Sequence, residues 1–463
     1  MKHNGFMTVQ PSAPHHRRLR PYPAYKPSGV EWLGEVPEHW AIMRLKNLCR
    51  RSALYGANEP ATSYVDGGVR FLRTTDITDH GNLLEEGVYL EREVVRDYIL
   101  SNGDLLISRS GTIGRAFQYE AERHGPCAYA GYLVRFVPGS SVIPRFLWYF
   151  TKSNSFEQWL SLSVIASTIG NVNGQKYANM HLIHPPLDEQ RAIADFLDRE
   201  TGRIDALMEK KQRQIELLQE KRTALISHAV TKGLGPKIKM KDSGVEWLGK
   251  IPMHWEVKKV KFLAEILRGK FSHRPRNDPQ LYDGPYPFIQ TGDIVRANKY
   301  INDYQQTLNE LGFAVSKEFP RGTLVMSIAA NIGDLAILEF PACFPDSIVG
   351  FFPKTQVDLN YLYYNLESMK QELKITAPLN TQQNLNIERI GPLKTVSPPI
   401  NEQRQIAVFL DQETAKMEDL IAKIQESIDK LKEYRTALIS AAVTGRIDVR
   451  EEVSRQGAKF AKK

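Results

Sequence analysis

The chain has 463 residues, 42% hydrophobic and 25% charged, with 61 Lys+Arg against 53 Asp+Glu and a formal net charge of +8. A near-average apolar fraction at this length excludes a disordered or fibrous chain and predicts about two to four globular domains. Three cysteines, Cys49, Cys127 and Cys343, cannot build a disulfide framework, and no pair has metal-ligand spacing, so a reduced, cytoplasmic setting is expected. No apolar run approaches the roughly 18 residues of a membrane span.

Residues 1–27 are Pro-rich and carry +5, with no acidic residue, which predicts a basic disordered tail. The next segment opens on Ser28-Gly-Val-Glu-Trp-Leu-Gly-Glu-Val-Pro-Glu-His-Trp40, and residues 28–187 read as a first lobe. Its β-rich runs Val69–Leu72, Leu105–Ser108 and Tyr132–Val137 are bounded by Gly, Pro, Asn and Asp, and Ile143–Phe150 reads as a short helix, giving a mixed, mostly β fold. Pro185-Pro-Leu-Asp-Glu-Gln-Arg-Ala-Ile-Ala-Asp-Phe-Leu-Asp198 introduces a helix predicted over 188–229.

Residues 230–242 carry +3 and read as a linker, after which the pattern begins again. Ser243-Gly-Val-Glu-Trp-Leu-Gly-Lys-Ile-Pro-Met-His-Trp255 repeats the first motif at an offset of 215. Residues 243–400 read as a second lobe, with strands at Phe288–Gln290 and Leu324–Ile328 and a helix at Leu359–Leu366. Pro398-Pro-Ile-Asn-Glu-Gln-Arg-Gln-Ile-Ala-Val-Phe-Leu-Asp411 repeats the second motif at an offset of 213, and a second long helix is predicted over 401–442. Arg222-Thr-Ala-Leu-Ile-Ser and Arg435-Thr-Ala-Leu-Ile-Ser close both helices at the same offset, and residues 443–463 form a basic tail of +3. Three long matches in one order make the chain two copies of one unit of about 215 residues. The lobes and helices are close to neutral, so the tails and the linker carry the whole charge excess.

Leu197, Ile204, Leu218 and Leu225 keep a seven-residue spacing that Lys211 interrupts. Leu410, Met417, Ile424, Leu431 and Leu438 keep it without interruption. Ile193, Leu207, Met208 and Ile215 widen the first stripe, and Leu420, Ile421 and Ile428 flank the second. An apolar seam over about 42 residues, roughly 60 Å of helix, needs a partner helix. The two copies supply one another, as an antiparallel pair. The expected fold is therefore α+β: two similar mixed, mostly β lobes joined by two long antiparallel coiled-coil helices, with an internal pseudo-two-fold repeat.

Catalytic motifs are scarce. Gly244–Lys250 has Walker A spacing, but Ile251 stands where a Ser or Thr should ligate Mg²⁺, and the other copy has Glu35 at the lysine position. The segment reads instead as an anchor, with Trp32, Trp40, Trp247 and Trp255 buried where each lobe begins. His39 and His254 occupy equivalent positions, which points to a structural role. No dinucleotide fingerprint, metalloprotease motif or nucleophile elbow is present. No Asn/Asp-Pro-Pro-aromatic motif of an adenine methyltransferase is present either.

What remains is a recognition surface. Lys258, Lys259, Lys261, Arg268, Lys270, Arg274 and Arg276 cluster in the second lobe, and Arg44, Lys46, Arg50 and Arg51 occupy the comparable stretch of the first. Such clusters suit phosphate contacts. Thr74, Arg109, Ser110 and Thr112 in one lobe, and Thr291, Ser327, Asn331, Gln382 and Gln383 in the other, are candidate readers of base edges.

Together, the duplicated Trp-Leu-Gly motif, the Pro-Pro-x-x-Glu-Gln motif and the long helices ending Arg-Thr-Ala-Leu-Ile-Ser resemble the specificity subunit of type I restriction–modification systems over nearly the whole chain outside its tails. The resemblance implies that each lobe reads one half of a bipartite site in double-stranded DNA, and that the helix pair sets the spacer and docks two methyltransferase subunits. It implies that the chain is not itself an enzyme and binds no cofactor. S-adenosylmethionine, ATP and Mg²⁺ would be used by the methyltransferase partners and a motor-nuclease partner. The alternatives are an autonomous DNA-modifying enzyme with diverged motifs and a coiled-coil adaptor that does not touch DNA.

Overall fold

The computed structural model describes residues 20–165, 171–273, 275–329, 331–376 and 385–450. They form two compact units, one of residues up to 210 together with those from 426 onward, the other of residues 211–425. Each unit holds one lobe, the start of one long helix and the end of the other.

The long helices span Leu187–Lys232 and Ile400–Val443, each starting one residue before the expected bound and ending three residues and one residue beyond it. Prolines precede both, and Asp188, Glu189 and Glu402 stand in the first turns, where the helix dipole favours anions. The first helix stops at Gly233, whose φ of +78° is the left-handed C-terminal cap that glycine adopts without a Cβ penalty.

Pairing is antiparallel. In the first unit Arg435 Nε lies 2.9 Å from Asp205, while Ile193, Leu197 and Ile204 share a core with Leu438, Ile439 and Val443. In the second unit Arg222 Nε lies 3.6 Å from Glu418, and Ile226, Ala229 and Val230 share a core with Ile406, Ala407 and Leu410. Of the expected seam, Leu197, Ile204, Leu410, Met417 and Leu438 are buried, and Leu218, Leu225, Ile424 and Leu431 are half-buried. Leu207 and Leu420 depart from the expectation at 44% and 46% exposed. A stripe of three apolar positions in every seven is wider than the two-position seam that a helix pair covers.

The first lobe is built on β1 (Cys49–Tyr55), β2 (Leu105–Ser108), β3 (Ala116–Gln118) and β4 (Leu133–Pro138). They form an antiparallel sheet in the order β1-β4-β2-β3. The second lobe repeats it with β5 (Ala264–Arg268), β6 (Leu324–Ser327), β7 (Leu335–Leu338) and β8 (Ile348–Pro353), ordered β5-β8-β6-β7. Tyr300–Ile301 adds a parallel strand beside β7. Residues in β2, β4, β6 and β7 are buried on both faces, which accounts for their continuous apolar runs. The sequences of these middles diverge, yet the strand order is the same.

The expected strand at Phe288–Gln290 is not one. Tyr282–Pro287 forms the strand, and Gln290 caps a helix at Thr291–Arg296 with Asp293 as its capping partner. The expected tail and linker are also partly ordered. Tyr25–Pro27 pairs with Glu35–Pro37, and Met240–Asp242 pairs with Lys250–Pro252 in the same register. Tyr22 is buried, and the Asp448 amide donates to the Arg20 carbonyl at 2.7 Å, so residues near both ends of the chain close the first unit. Residues 1–19 and 451–463 of the basic tails lie outside the described residues.

Candidate nucleic-acid interface

Each lobe is fixed to its helix by the same four side chains. Glu189 accepts from Trp40 Nε1 at 3.0 Å and faces His39 Nε2 at 2.7 Å. Glu402 repeats this with Trp255 at 2.9 Å and His254 at 2.7 Å. The neighbouring glutamine bridges to the lobe. Gln190 accepts from the Ile143 amide at 2.8 Å and donates to the Pro185 carbonyl at 2.8 Å, while Gln403 does the same with Asp358 and Pro398 at 2.9 and 2.8 Å. Two turns on, Asp198 and Thr201 take the Tyr149 hydroxyl, and Asp411 and Thr414 take that of Tyr364, at 2.6 and 3.2 Å in both units.

The anchoring role expected of the tryptophans holds for Trp40 and Trp255, both fully buried, whereas Trp32 and Trp247 are only half-buried. Sequence reading found the Glu-Gln motif as a repeat but did not assign its side chains. Their fixed spacing from the Pro-Pro start was the available signal.

On this frame each lobe presents a loop after its central strand. Ser108 at the end of β2 donates to the Thr112 carbonyl and accepts from the Arg115 amide. The Val172 amide holds the loop by donating to the Arg109 carbonyl at 3.1 Å. The second lobe makes the equivalent bond, from the Leu385 amide to the Ile328 carbonyl, at 2.9 Å. Asn173 and Asn386 then cap the short helices that follow.

The Arg109 guanidinium lies 5.0 Å from the Tyr55 ring centroid and 5.8 Å from that of Tyr132. Tyr132 is 59% exposed, and Arg109 Nε has no hydrogen-bond partner among the described residues. A forked donor held between two exposed rings is suited to planar ligands with acceptor edges. Ser110 is half-buried and Thr112 exposed on the same loop. Thr74 is half-buried in a turn capped by Arg73 and Asp76, and its hydroxyl approaches Gly111.

In the second lobe Ser327 is fully buried and donates to the Ala329 carbonyl at 2.8 Å, so it shapes the loop and offers a partner no surface. Asn331 is exposed, and Thr291 is half-buried at the first position of its capped helix. Gln382 and Gln383 lie outside the described residues.

Arg44, Lys46, Arg50 and Arg51 are exposed beside and along β1, the strand that ends in Tyr55. Arg44 Nε approaches His181 Nε2 at 3.3 Å, and Arg50 donates to the Pro138 carbonyl at 3.3 Å. The basic cluster of the second lobe is partly committed. Lys258 pairs with Glu256 at 2.8 Å, Arg276 pairs with Asp346, and Arg268 donates to the Asp346 carbonyl at 2.6 Å. Lys259, Lys261 and Lys270 are exposed, and Arg274 lies outside the described residues. The near-neutral balance of the lobe thus reflects local pairing as well as composition.

Burial pushes the Cys49 thiol up to about 12 and the Cys127 thiol up to about 11, away from the range of a reactive thiolate. Among the described residues no group of His, Cys, Asp and Glu could hold a metal ion, and no helix is long and apolar enough to cross a membrane.

Residues 37–217 and 252–430 each match the family described as the type I restriction modification DNA specificity domain. The chain is 22% identical to the MjaIX type I restriction enzyme specificity subunit of Methanocaldococcus jannaschii over 446 residues, covering 90% of this chain and 96% of that one. It is 19% identical to the StySPI specificity subunit of Salmonella potsdam over 441 residues, covering 89% and 90%. A chain from a structure on complex assembly and conformational transition of the type I R–M system superposes with a TM-score of 0.69 at 15% identity, covering 89% of this chain and 99% of that chain. With two copies of the domain across most of its length, the chain belongs to the family of type I restriction–modification DNA specificity proteins.

Proposed function

We propose that the chain is the DNA-recognition subunit of a type I restriction–modification assembly, in which each lobe reads one half of a bipartite double-stranded site. The observation that carries this reading is the contrast between a duplicated frame and dissimilar loops. The Glu-Gln-Asp-Thr clamp is repeated atom for atom, while Arg109 between two tyrosines has Ile328 as its counterpart in the second lobe. One frame carrying two surfaces suits two different half-sites.

In this reading the loops after β2 and β6 contact base edges, and the exposed basic residues around β1 and β5 contact phosphates. The long helices set the spacer and dock two methyltransferase subunits, and a motor-nuclease subunit joins them. The chain performs no catalysis of its own. S-adenosylmethionine, ATP and Mg²⁺ act in the partner subunits. Near-neutral lobes give few counterions to release, so the partners supply much of the phosphate contact and this chain alone binds DNA weakly.

The test exchanges residues 45–180 for the corresponding segment of another specificity subunit, keeping the Ala41–Arg44/His181–His184 ladder intact. The hybrid is assembled with its methyltransferase subunits, and modified adenines are mapped genome-wide. One half-site should change and the other persist. A change in both halves, or in neither, would refute the modular reading.

A further inference from the structure

The two units differ in charge at one place where their geometry is the same. On the helix side both keep an arginine beside a carboxylate, Arg435 with Asp205 and Arg222 with Glu418. On the lobe side the signs invert. Arg115 follows Gly114 in the loop of the first lobe, where Asp334 follows Gly333 in the second. The backbone is the same at both, with Ser108 and Ser327 amides donating to the Arg115 and Asp334 carbonyls at 2.9 Å. Lys152 stands three residues after Tyr149, where Glu367 stands three residues after Tyr364.

In the second unit this completes a balanced cluster. Arg222 pairs with Glu367 at 2.5 Å, and Lys370 pairs with Asp334. In the first unit Arg115 pairs with Asp79, Arg435 with Asp205 and Lys432 with Asp429. Among the described residues the hydrogen bonds of Lys152 go to carbonyl oxygens, those of Asp79 at 3.1 Å and Ala116 at 3.3 Å, and its ammonium lies 5.5 Å from the Trp148 ring centroid. It is half-buried in a cavity of about 520 Å³ that Thr112, Arg115, Lys432, Arg435 and Thr436 line together with the carboxylates of Asp79 and Glu157. Desolvation and the nearby Arg435 push its ammonium down to about 8. Four basic side chains line the cavity against two carboxylates, Asp79 and Glu157, and an excess of covered cations is costly unless an anion enters.

We propose that this cavity of the first unit is a binding site for a phosphate-type oxyanion, held by Lys152 with Arg115, Arg435 and the hydroxyls of Thr112 and Thr436. The Lys152 ammonium, two hydroxyls and the guanidinium hydrogens that Asp79, the Ile77 carbonyl and Asp205 do not take match the terminal oxygens of a phosphoryl group. The second unit has no such site, because Glu367 and Asp334 supply the negative charge internally. Two sources share this chemistry: a backbone phosphate of the duplex, since the Ser108–Arg115 loop borders the cavity, and a free phosphorylated molecule. The inference is separable from half-site reading, because inorganic phosphate tests it without any partner subunit.

The experiment is equilibrium dialysis of the full chain with radiolabelled inorganic phosphate at matched ionic strength in chloride. The wild-type chain should show one saturable class of site. Lys152→Glu places a carboxylate beside Arg435 as Glu367 stands beside Arg222, so the variant should fold and bind phosphate at least about tenfold more weakly. Should it fail to fold, Lys152→Met removes the charge at similar length and is read the same way. Absence of saturable binding to the wild-type chain, or equal binding by the folded variant, overturns the proposal. In the wild-type chain, displacement of the label by a duplex without a recognised site identifies the DNA backbone as the source, and retention of the label identifies a free phosphoryl anion. Either outcome supports the site.

Discussion

Glu189 and Glu402 hold equivalent positions, yet their surroundings differ. Glu189 is 5% exposed and also accepts from the buried Tyr22 hydroxyl at 2.9 Å, with Arg450 at 3.5 Å. Glu402 has only His254 and Trp255, and its side chain is 34% exposed. Removing an acceptor costs most where water cannot replace it. Glu189→Ala strands the Trp40 indole and the Tyr22 hydroxyl together and should cost about 3 kcal/mol, against about 1 kcal/mol for Glu402→Ala. Urea unfolding of both variants checks this, and equal losses would show that the extra partners of Glu189 contribute nothing. The motif containing both residues is plain in the sequence, because it recurs. Which atoms it holds is not, because His39, Trp40 and Tyr22 lie about 150 residues or more away along the chain.

At the scale of elements, the long helices were legible because a seven-residue period over many turns has one physical solution. In the lobes the strands buried on both faces were legible, as were the strand at Val69–Leu72 and the short helices at Pro144–Phe150 and Leu359–Ser368. Phe288–Gln290 misled because an aromatic Phe288 and a β-branched Ile289 preceded a helix cap, and Gln290 with Asp293 decides the local structure. The candidate reading loops could be placed because they follow the apolar runs Leu105–Ser108 and Leu324–Ile328, but burial of Ser327 and the rings around Arg109 follow from contacts made by distant strands. The helix pattern itself supports a prediction. Lys211 is half-buried at the one polar position of the first seam, and its counterpart Ile424 is half-buried and apolar. Lys211→Ile should stabilise the chain by about 1 kcal/mol, raising the melting temperature by about 2–4 °C. Calorimetry measures it, and a lowered transition would mean that the lysine stem packs better than isoleucine can.

At the scale of the whole molecule the duplicated helices act together. The stretch from Asp205 to Arg222 on one and from Glu418 to Arg435 on the other is the same length, 17 residues, and each end is marked by an ion pair. A deletion in one helix alone would break this correspondence and put apolar positions opposite polar ones. Deleting seven residues from both stretches keeps the seam facing inward, because seven residues are close to two full turns. It also shortens each helix by about 10 Å, or about three base pairs of duplex at 1.5 Å per residue and 3.4 Å per base pair. If the helices set the spacing, the assembled enzyme should methylate the same two half-sites with about three fewer base pairs between them. A four-residue matched deletion rotates the seam and should lose assembly instead. Mapping modified adenines for the seven-residue variant decides the matter: an unchanged spacer in an active assembly would show that the lobes find their half-sites independently of helix length.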